Sequence, residues 1–516
     1  MIMLKRCLLC VAALWCLVSS AQKPIQLDGS WEYAIGDSTK YSDYVMLPGA
    51  VKADGEVWYR RGVYVPQDWQ RQRIILYLER LYAKTTVYVN GQRVGSDSLQ
   101  CAPHEYDVSD LIIPGRRNTV TVRVAKTERN GIFGLMQLRA GSKHLYIQQL
   151  YYQPHPFDGV VHMDLNVGGD GLRFDDYFAE VIVQQADNDS ANIIQGFYKV
   201  RKRHTDFNMP LGTEVALWDE FYPHLYRIAV SFGEEYLETA IGMRELMMDS
   251  SQVMINRRPL YLRSVVMRDP LQGAESAVSD EQIWLDLLKK YKQWGFNHIS
   301  FENYCPTEAA FAMADKVGIL LQPGGIVGEV QTKRVIDAYG HHPSLMMMDM
   351  EGIERIPAEK AEIFPIGYYK DRIERNLMSA DFRGFQLLDF NWPEKESPAK
   401  EWTEFCAPIV PLARLSRQEY TMADTLDVPL EASSAFYGEI RAARATYFIC
   451  DDSLQVMKGG QLAVGQLPLG KQIRLGSVKI PLSELPAPGK YTLYVAITGK
   501  YRNHWDFVVL PTKEDE

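Results

Sequence analysis

The sequence predicts a multidomain protein that combines β domains with one α/β region. Its length of 516 residues is too great for one ordinary domain. Short alternating strands broken by turns occupy most of the chain, and strands alternate with helices in one stretch after Met254. Such alternation is typical of parallel βαβ units, whereas the remaining pattern is typical of β-sandwiches.

The composition is that of a soluble globular protein, with 46% apolar and 23% charged residues. A net charge of −9 argues against a nucleic-acid partner, which would require a basic face. Neutral or weakly charged partners are therefore expected, and the sequence leaves the oligomeric state open.

The first residues have the pattern of a secretory signal peptide. Lys5 and Arg6 precede an apolar run at residues 7–18, and small residues end at Ala21. This predicts a signal peptide over residues 1–21 and an exported protein, periplasmic or extracellular. No later segment has the length and hydrophobicity expected of a membrane span.

Two β-sandwiches are predicted next along the chain. Residues 22–170 alternate in short strands, with Asn90-Gly91 as a hairpin signal, and are expected to form a jelly roll. Residues 171–252 contain strands whose number and spacing suit an immunoglobulin-like sandwich.

The α/β region is predicted at residues 253–415 as an incomplete barrel of the TIM (β/α) type, followed by a C-terminal β-sandwich at residues 416–516. Its first helix is predicted to have Ser279 at the N-cap. A buried strand is predicted from Leu345 to Met350.

No cofactor or metal site is predicted. Beyond the signal peptide, Cys101, Cys305, Cys406 and Cys450 are widely spaced, without a CxxC or Cys/His pattern. Buried free thiols are favoured, and one disulfide is the alternative in an oxidising compartment. His341 and His342 precede Pro343 and are interpreted as a helix end and turn.

Several long phrases of the sequence carry a resemblance to a known family. They are WYRRGVYVP (58–66), LYLERLYAKTTVYVNGQRVG (76–95), HEYDVSDLIIPG (104–115), NGIFGLMQLRA (130–140), FYPHLYRIAV (221–230), INRRPLYLRSVVMRDP (255–270), WGFNHISFENYCPTEAAFAMADKVGILLQP (294–323), HPSLMMMDMEG (342–352) and GFQLLDF (384–390). These phrases resemble glycoside hydrolase family 2, the β-galactosidase and β-glucuronidase type. The first domain resembles that family's sugar-binding domain, and the barrel region resembles its strands one to four and its last strand.

The resemblance implies a carbohydrate partner and retaining hydrolysis of a β-linked glycan. Two carboxyl groups roughly 5–5.5 Å apart perform that reaction, one as acid/base and one as nucleophile. In the family the acid/base follows an Asn at the end of strand four. Here Glu351 and Glu354 are the candidates, because no Asn-Glu pair is present. The nucleophile, which the family presents from strand seven, is not identified.

Four residues at predicted strand ends are candidates for substrate binding. Glu302 and Asn303 lie in the segment where relatives present an Arg and a His. Asp389 could accept hydroxyl hydrogen bonds, and Trp392 could stack on a sugar ring. Asp349, inside the apolar run, is expected to pair with Arg268 or Arg263.

The predicted barrel is short for its family. The span from Leu260 to Leu415 has 156 residues, counting both ends, whereas a complete (β/α)8 barrel has about 250. Two hypotheses follow: an active family 2-type glycosidase, or a catalytically degenerate relative that binds carbohydrate.

Overall fold

The computed structural model divides the chain into two compact units, which are described separately. Unit 1 comprises residues 1–245, 267–288 and 300–347, and unit 2 comprises residues 246–266, 289–299 and 348–516. The structure describes residues 23–38, 40–127, 130–170, 172, 177–186, 193–249, 252–268, 278–348, 353–358, 366–379, 383–390 and 398–512.

The first β-sandwich of unit 1 consists of two antiparallel sheets. Their orders are β1-β11-β6-β9, with β4 paired to β11, and β3-β2-β5-β10-β7-β8. The strands are β1 (Ile25–Gln26), β2 (Gly29–Ile35), β3 (Asp43–Leu47), β4 (Gly49–Ala50), β5 (Val57–Val65), β6 (Arg73–Arg80), β7 (Thr85–Val89), β8 (Gln92–Asp97), β9 (His104–Asp107), β10 (Arg116–Val124) and β11 (Gly131–Gly141).

Alternation along these strands builds one hydrophobic core. In β5, Val57, Tyr59 and Val63 are buried. Asn90 and Gly91 have φ of 50° and 81° and connect β7 to β8. This confirms the predicted hairpin, because type I′ turns require positive φ at both central residues.

A second sandwich in unit 1 has sheets of order β12-β13-β16 and β15-β14-β17-β18 around its own core. β12 and β13 pair with each other, and β13 also pairs with β16. Both strands therefore belong to this second sandwich, although the sequence-based prediction assigns residues through 170 to the first domain. The strands are β12 (Tyr146–His155), β13 (Val160–Gly168), β14 (Tyr177–Gln185), β15 (Ile194–Val200), β16 (His204–Pro210), β17 (Tyr226–Phe232) and β18 (Glu235–Ile241).

The α/β region follows a small antiparallel sheet of order β19-β20-β21. The elements from that sheet onward are β19 (Leu246–Asp249), β20 (Gln252–Ile255), β21 (Arg258–Pro259), β22 (Leu262–Met267), α1 (Glu281–Gln293), β23 (His298–Phe301), α2 (Glu308–Val317), β24 (Leu320–Gln322), α3 (Gly328–Tyr339), β25 (Glu354–Ile356), α4 (Ile366–Leu377), β26 (Gly384–Leu387) and α5 (Pro398–Phe405).

The N-cap of α1 differs from the prediction. Asp280 Oδ1 accepts hydrogen bonds from the backbone N–H groups of Gln282 (2.8 Å) and Ile283 (3.2 Å). The Ser279 hydroxyl is buried and has no hydrogen-bond partner among the described residues. Asp280 is therefore the cap, because its carboxylate satisfies two of the helix's free N–H groups.

In unit 2, the first and last strands of the α/β region lie side by side and run parallel. Leu262 of β22 is opposite Gly384 of β26, and β25 pairs with the other side of β26. A Cβ atom at Gly384 would lie 2.4 Å from the carbonyl oxygen of Leu262. A glycine at this position therefore permits the close approach of the two strands.

Of the strand predicted from Leu345 to Met350, the described residues 345–348 form only an isolated bridge. Leu345 forms an isolated parallel bridge with Leu321, and the Met346 N–H donates to the Leu321 carbonyl. Residues 349–352 lie outside the described residues.

Unit 2 ends in a third sandwich, whose sheets have the orders β27-β29-β32 and β28-β34-β33-β30-β31. The strands are β27 (Ile409–Ala413), β28 (Glu419–Thr421), β29 (Thr425–Ser434), β30 (Ile440–Asp451), β31 (Val456–Leu467), β32 (Gly470–Pro481), β33 (Gly489–Ile497) and β34 (Tyr501–Leu510).

The favoured prediction for the cysteines holds: Cys101, Cys305, Cys406 and Cys450 are free and buried. Within the described residues, no helix has the combination of length and apolar character that crossing a bilayer demands. The chain is thus mostly β, with one α/β region.

Candidate functional site

In unit 1, two charged side chains follow the carboxyl ends of neighbouring strands. Arg268 comes directly after β22, and Glu302 comes directly after β23. The Glu302 N–H donates to the carbonyl of Met267 (3.0 Å), and the Arg268 and Glu302 side chains form an ion pair of 2.5 Å. The carboxyl ends of parallel strands are where α/β barrels place their functional groups.

This ion pair is open to solvent. The side chain of Arg268 is 64% exposed and that of Glu302 is 45% exposed. Asn303 is also exposed. A carboxylate held by an accessible guanidinium can accept hydrogen bonds from the hydroxyl groups of a ligand.

In unit 2, the two described candidates lie toward opposite ends of the parallel strands. Glu354 is the first residue of β25 and is opposite Phe385, near the amino ends of both strands. Asp389 follows the carboxyl end of β26, is exposed, and has a φ of 52°. Only Asp389 is therefore at the end where barrel enzymes carry their chemistry.

The other candidates are not described. Glu351, Trp392 and Asp349 lie outside the described residues. Of the two partners expected for Asp349, Arg268 pairs with Glu302, and Arg263 donates from Nε to the carbonyl of Gly295 (2.6 Å). The roles assigned to these residues stay predictions.

A buried charged cluster in unit 1 was missed by the sequence reasoning. Nδ1 of His342 lies 2.6 Å from a carboxylate oxygen of Asp315, and Nε2 lies 3.0 Å from Glu308 Oε1. Nε2 of His341 is 3.7 Å from the same Glu308 oxygen. The imidazole of His342 thus lies between two carboxylates.

These contacts determine the charge of the cluster. Burial alone would lower the pKa of His342, but Asp315 and Glu308 outweigh it and raise the pKa to about 10. Burial would raise the pKa of Glu308, but His342 and His341 outweigh it and lower that pKa. Two opposed carboxylates therefore keep a buried imidazolium charged.

The cluster borders a cavity of about 850 Å³ within unit 1. Glu308 and His341 line this cavity together with Tyr77, Arg139 and Tyr152. The volume lies in the range of small-molecule sites, and the lining combines both signs of charge with aromatic rings.

One weak signal for this cluster was present in the sequence. Glu308 and Asp315 are seven residues apart on a predicted helix, which places them on one face. Their partner His342 is 34 positions beyond Glu308, and only the tertiary fold brings the two together.

Comparison with known families identifies two segments of the chain. Residues 12–133 match the sugar binding domain of glycosyl hydrolases family 2. Residues 424–511 match a domain of unknown function, DUF8488.

Curated relatives are β-glucuronidases and β-galactosidases. The β-glucuronidase of Paenibacillus borealis is 22% identical over 315 residues, covering 54% of this chain and 50% of the relative. The human β-glucuronidase is 24% identical, covering 52% and 47%. The β-galactosidase of Actinobacillus pleuropneumoniae is 25% identical, covering 49% and 25%. The aligned region thus spans half or less of the length of these relatives.

Solved structures show the same fold. A β-glucuronidase of Bacteroides uniformis aligns with a TM-score of 0.60 at 13% identity, covering 95% of this chain and 80% of that chain. A β-glucuronidase of Faecalibacterium prausnitzii aligns with a TM-score of 0.53 at 20% identity, covering 63% and 67%. The mostly β, multidomain architecture is therefore that of these proteins.

Proposed function

This chain is a protein of the glycoside hydrolase family 2 type, and from that premise we propose that it hydrolyses O-glycosidic bonds of a β-linked glycan with retention of configuration. The supporting observation is the family's sugar-binding domain at residues 12–133. The relatives named as β-glucuronidases and β-galactosidases define the first substrates to test.

The proposed site is the carboxyl end of the parallel strands in a reduced barrel. The parallel pairing of β22 with β26 supports this, because the last strand of a closed barrel pairs with its first. When these strands are compared with a complete eight-stranded barrel, β26 corresponds to the last strand. β25, which pairs with the other edge of β26, then corresponds to strand seven.

We assign the acid/base role to Glu351 in preference to Glu354. Glu354 begins β25, so it lies at the amino end of a parallel strand, away from the end that carries barrel chemistry. Glu351 stands where the family has its glutamate when Met350 is aligned with the Asn. An acid/base residue contributes about 10²–10⁴-fold to the rate.

The second carboxylate has three candidates. Glu302 and Asp389 follow the carboxyl ends of β23 and β26. Glu359 is the first acidic residue after β25 in the sequence. In the family the nucleophile is presented from strand seven, to which β25 corresponds in this proposal. The carboxylate of Glu302 contacts a guanidinium, that of Arg268.

The test is a turnover assay of the purified chain on aryl β-glucuronides, aryl β-galactosides and β-linked oligosaccharides, with the product anomer read by NMR. We expect retention, and we expect Glu351→Gln to lower kcat about 10²–10⁴-fold on a natural glycan. Glu354→Gln is the matched control and should keep wild-type activity. Loss in Glu354→Gln but not in Glu351→Gln would reverse the assignment.

Single variants Glu302→Ala, Asp389→Ala and Glu359→Ala, which leave room for a small anion, identify the second carboxylate. Removal of the nucleophile abolishes turnover. Added azide then attacks the anomeric carbon in its place, so that turnover is restored and the product is a glycosyl azide of inverted configuration. Rescue of one variant identifies the residue, whereas a substrate-binding role raises KM and shows no rescue.

A second candidate function is carbohydrate binding without turnover. The observation that favours it is the ion pair between Glu302 and Arg268. It lies at the strand end where relatives present an Arg and a His that contact the sugar. Calorimetric titration with the same glycans distinguishes the two functions. Saturable binding without product supports the second, and release of reducing sugar by the purified chain excludes it.

We also propose that the protein is exported to the periplasm or the medium. The proposal is supported by the signal-like pattern of residues 1–21. Expression of the full chain followed by amino-terminal sequencing should give a mature protein that starts at Gln22. A cytoplasmic product that retains Met1 would contradict it.

A further inference from the structure

We propose that Glu308, His341 and His342 form a binding site for a divalent transition-metal ion of the Zn²⁺ class, open to the cavity in unit 1. The inference is independent of the proposed hydrolysis and concerns different residues.

The donor atoms are close enough for one ion. Glu308 Oε1 lies 3.0 Å from Nε2 of His342 and 3.7 Å from Nε2 of His341, and one ligand atom from each of the three residues lies within 4.8 Å of the others. Zinc bonds to nitrogen and oxygen are about 2.0–2.2 Å, which places tetrahedral ligand atoms about 3.4 Å apart. Small side-chain movements would therefore complete the coordination.

A second carboxylate orients the buried ligand. Asp315 holds Nδ1 of His342 at 2.6 Å, so Nε2 is the ring nitrogen directed toward Glu308. The other oxygen of Asp315 accepts the Ser344 N–H (2.9 Å), which fixes the loop. Metal-binding histidines almost always have such a partner on the second ring nitrogen.

The scaffold around the site is rigid. Glu308 and Asp315 lie two turns apart on α2, and the ring of Phe311 between them stacks on His342 with centroids 5.4 Å apart. The backbone N–H of Glu308 donates to the buried carboxylate of Glu79 (2.8 Å). A metal ion would take the place of the proton between Glu308 and His342, so little rearrangement is required.

The site has one closed side and one open side. The side chain of His342 is 4% exposed, whereas those of His341 and Glu308 are 18% and 42% exposed and line the cavity. Three protein ligands leave a position for water or an oxygen of a ligand. Two imidazoles and one carboxylate favour Zn²⁺, Co²⁺ or Ni²⁺ over Ca²⁺ and Mg²⁺, which prefer oxygen ligands.

The experiment uses the untagged full chain after dialysis against a chelator. Calorimetric titration with Zn²⁺ and visible absorption with Co²⁺ should show one saturable site per chain, with Co²⁺ bands of a low-symmetry nitrogen–oxygen site. Zn²⁺ should also raise the thermal midpoint, because it binds the folded state. An ion pair without metal affinity predicts none of these changes, and their absence overturns the proposal.

Variants locate the ion. His341→Ala should abolish the Co²⁺ bands and weaken binding at least about 100-fold, and Asp315→Asn, which acts through His342, about 10–100-fold. His204→Ala is the matched control, because His204 also contacts a carboxylate, Asp164 at 2.7 Å, on the surface. Equal affinity in the wild type and in His341→Ala overturns the assignment, and circular dichroism verifies that each variant folds.

Discussion

Each of the two units contains a buried histidine, and the two imidazoles face different partners. In unit 1, His342 lies between Asp315 and Glu308, and these carboxylates raise its pKa to about 10 despite burial. In unit 2, Nδ1 of His298 contacts the Ser264 hydroxyl at 2.8 Å. Burial lowers the pKa of His298 to about 3, and its Nε2 has no hydrogen-bond partner among the described residues.

Burial is similar at the two sites, so it does not decide the charge of the ring. The facing groups decide it: two carboxylates stabilise an imidazolium, whereas one hydroxyl leaves the ring neutral. The first arrangement holds a proton on the ring, and the second is a packing site. The experiments that follow change one facing group or one ring at a time.

The largest effect is expected for Asp315→Asn in the metal-free protein. The substitution keeps the shape but leaves the buried imidazolium of His342 with Glu308 as its remaining anionic partner. Breaking a buried charge pair typically costs about 3–5 kcal/mol, so the urea midpoint should fall strongly. Asp54→Asn is the control, because Asp54 pairs with Lys126 in solvent; equal midpoints for the two variants would mean that His342 is not held as a cation.

A smaller, pH-dependent effect is expected for His298→Gln. A folded-state pKa of about 3 lies below the unfolded value of 6.5, so between these values the unfolded chain binds a proton that the folded chain does not. Wild-type stability should therefore decrease as pH falls below 6.5, by up to about 1.4 kcal/mol per pH unit. The variant lacks this contribution.

Urea unfolding at several pH values between 4.5 and 7.5 measures the difference between wild type and His298→Gln. His144→Gln, which removes an exposed ring instead of a buried one, is the control. Parallel curves for wild type and His298→Gln would contradict a neutral His298.

The smallest effect is expected for Arg268→Gln. The contact of Arg268 with Glu302 resembles the cluster around His342 in chemistry, but both side chains are largely exposed. Exposed ion pairs contribute about 0–1 kcal/mol, so the thermal midpoint should hardly change. A loss as large as that of Asp315→Asn would show that solvent does not screen this pair.

The sandwiches could be predicted because their signals are local. The alternation in β5 and the Asn90-Gly91 turn each depend on a few neighbouring residues. The strand expected from Leu345 depends on a non-local partner, and among its described residues only Leu345 forms a bridge, with Leu321 of β24.

The charged cluster could not be predicted from spacing alone. Glu308 and Asp315 share a helix face, but their common partner His342 comes from the segment after α3. The turn predicted at His341 and His342 agrees with the end of α3 at Tyr339. The prediction did not include the carboxylates of Asp315 and Glu308, which contact His342.

The pairing of β22 with β26 has a consequence for the order of folding. Leu262 and Gly384 are about 120 positions apart, so this contact closes a long loop and carries a large entropic cost. Contacts of such separation form slowly, whereas hairpins such as β7–β8 form locally. During refolding the sandwich hairpins should gain amide protection early, and β22 and β26 should be among the last segments to exclude solvent deuterium.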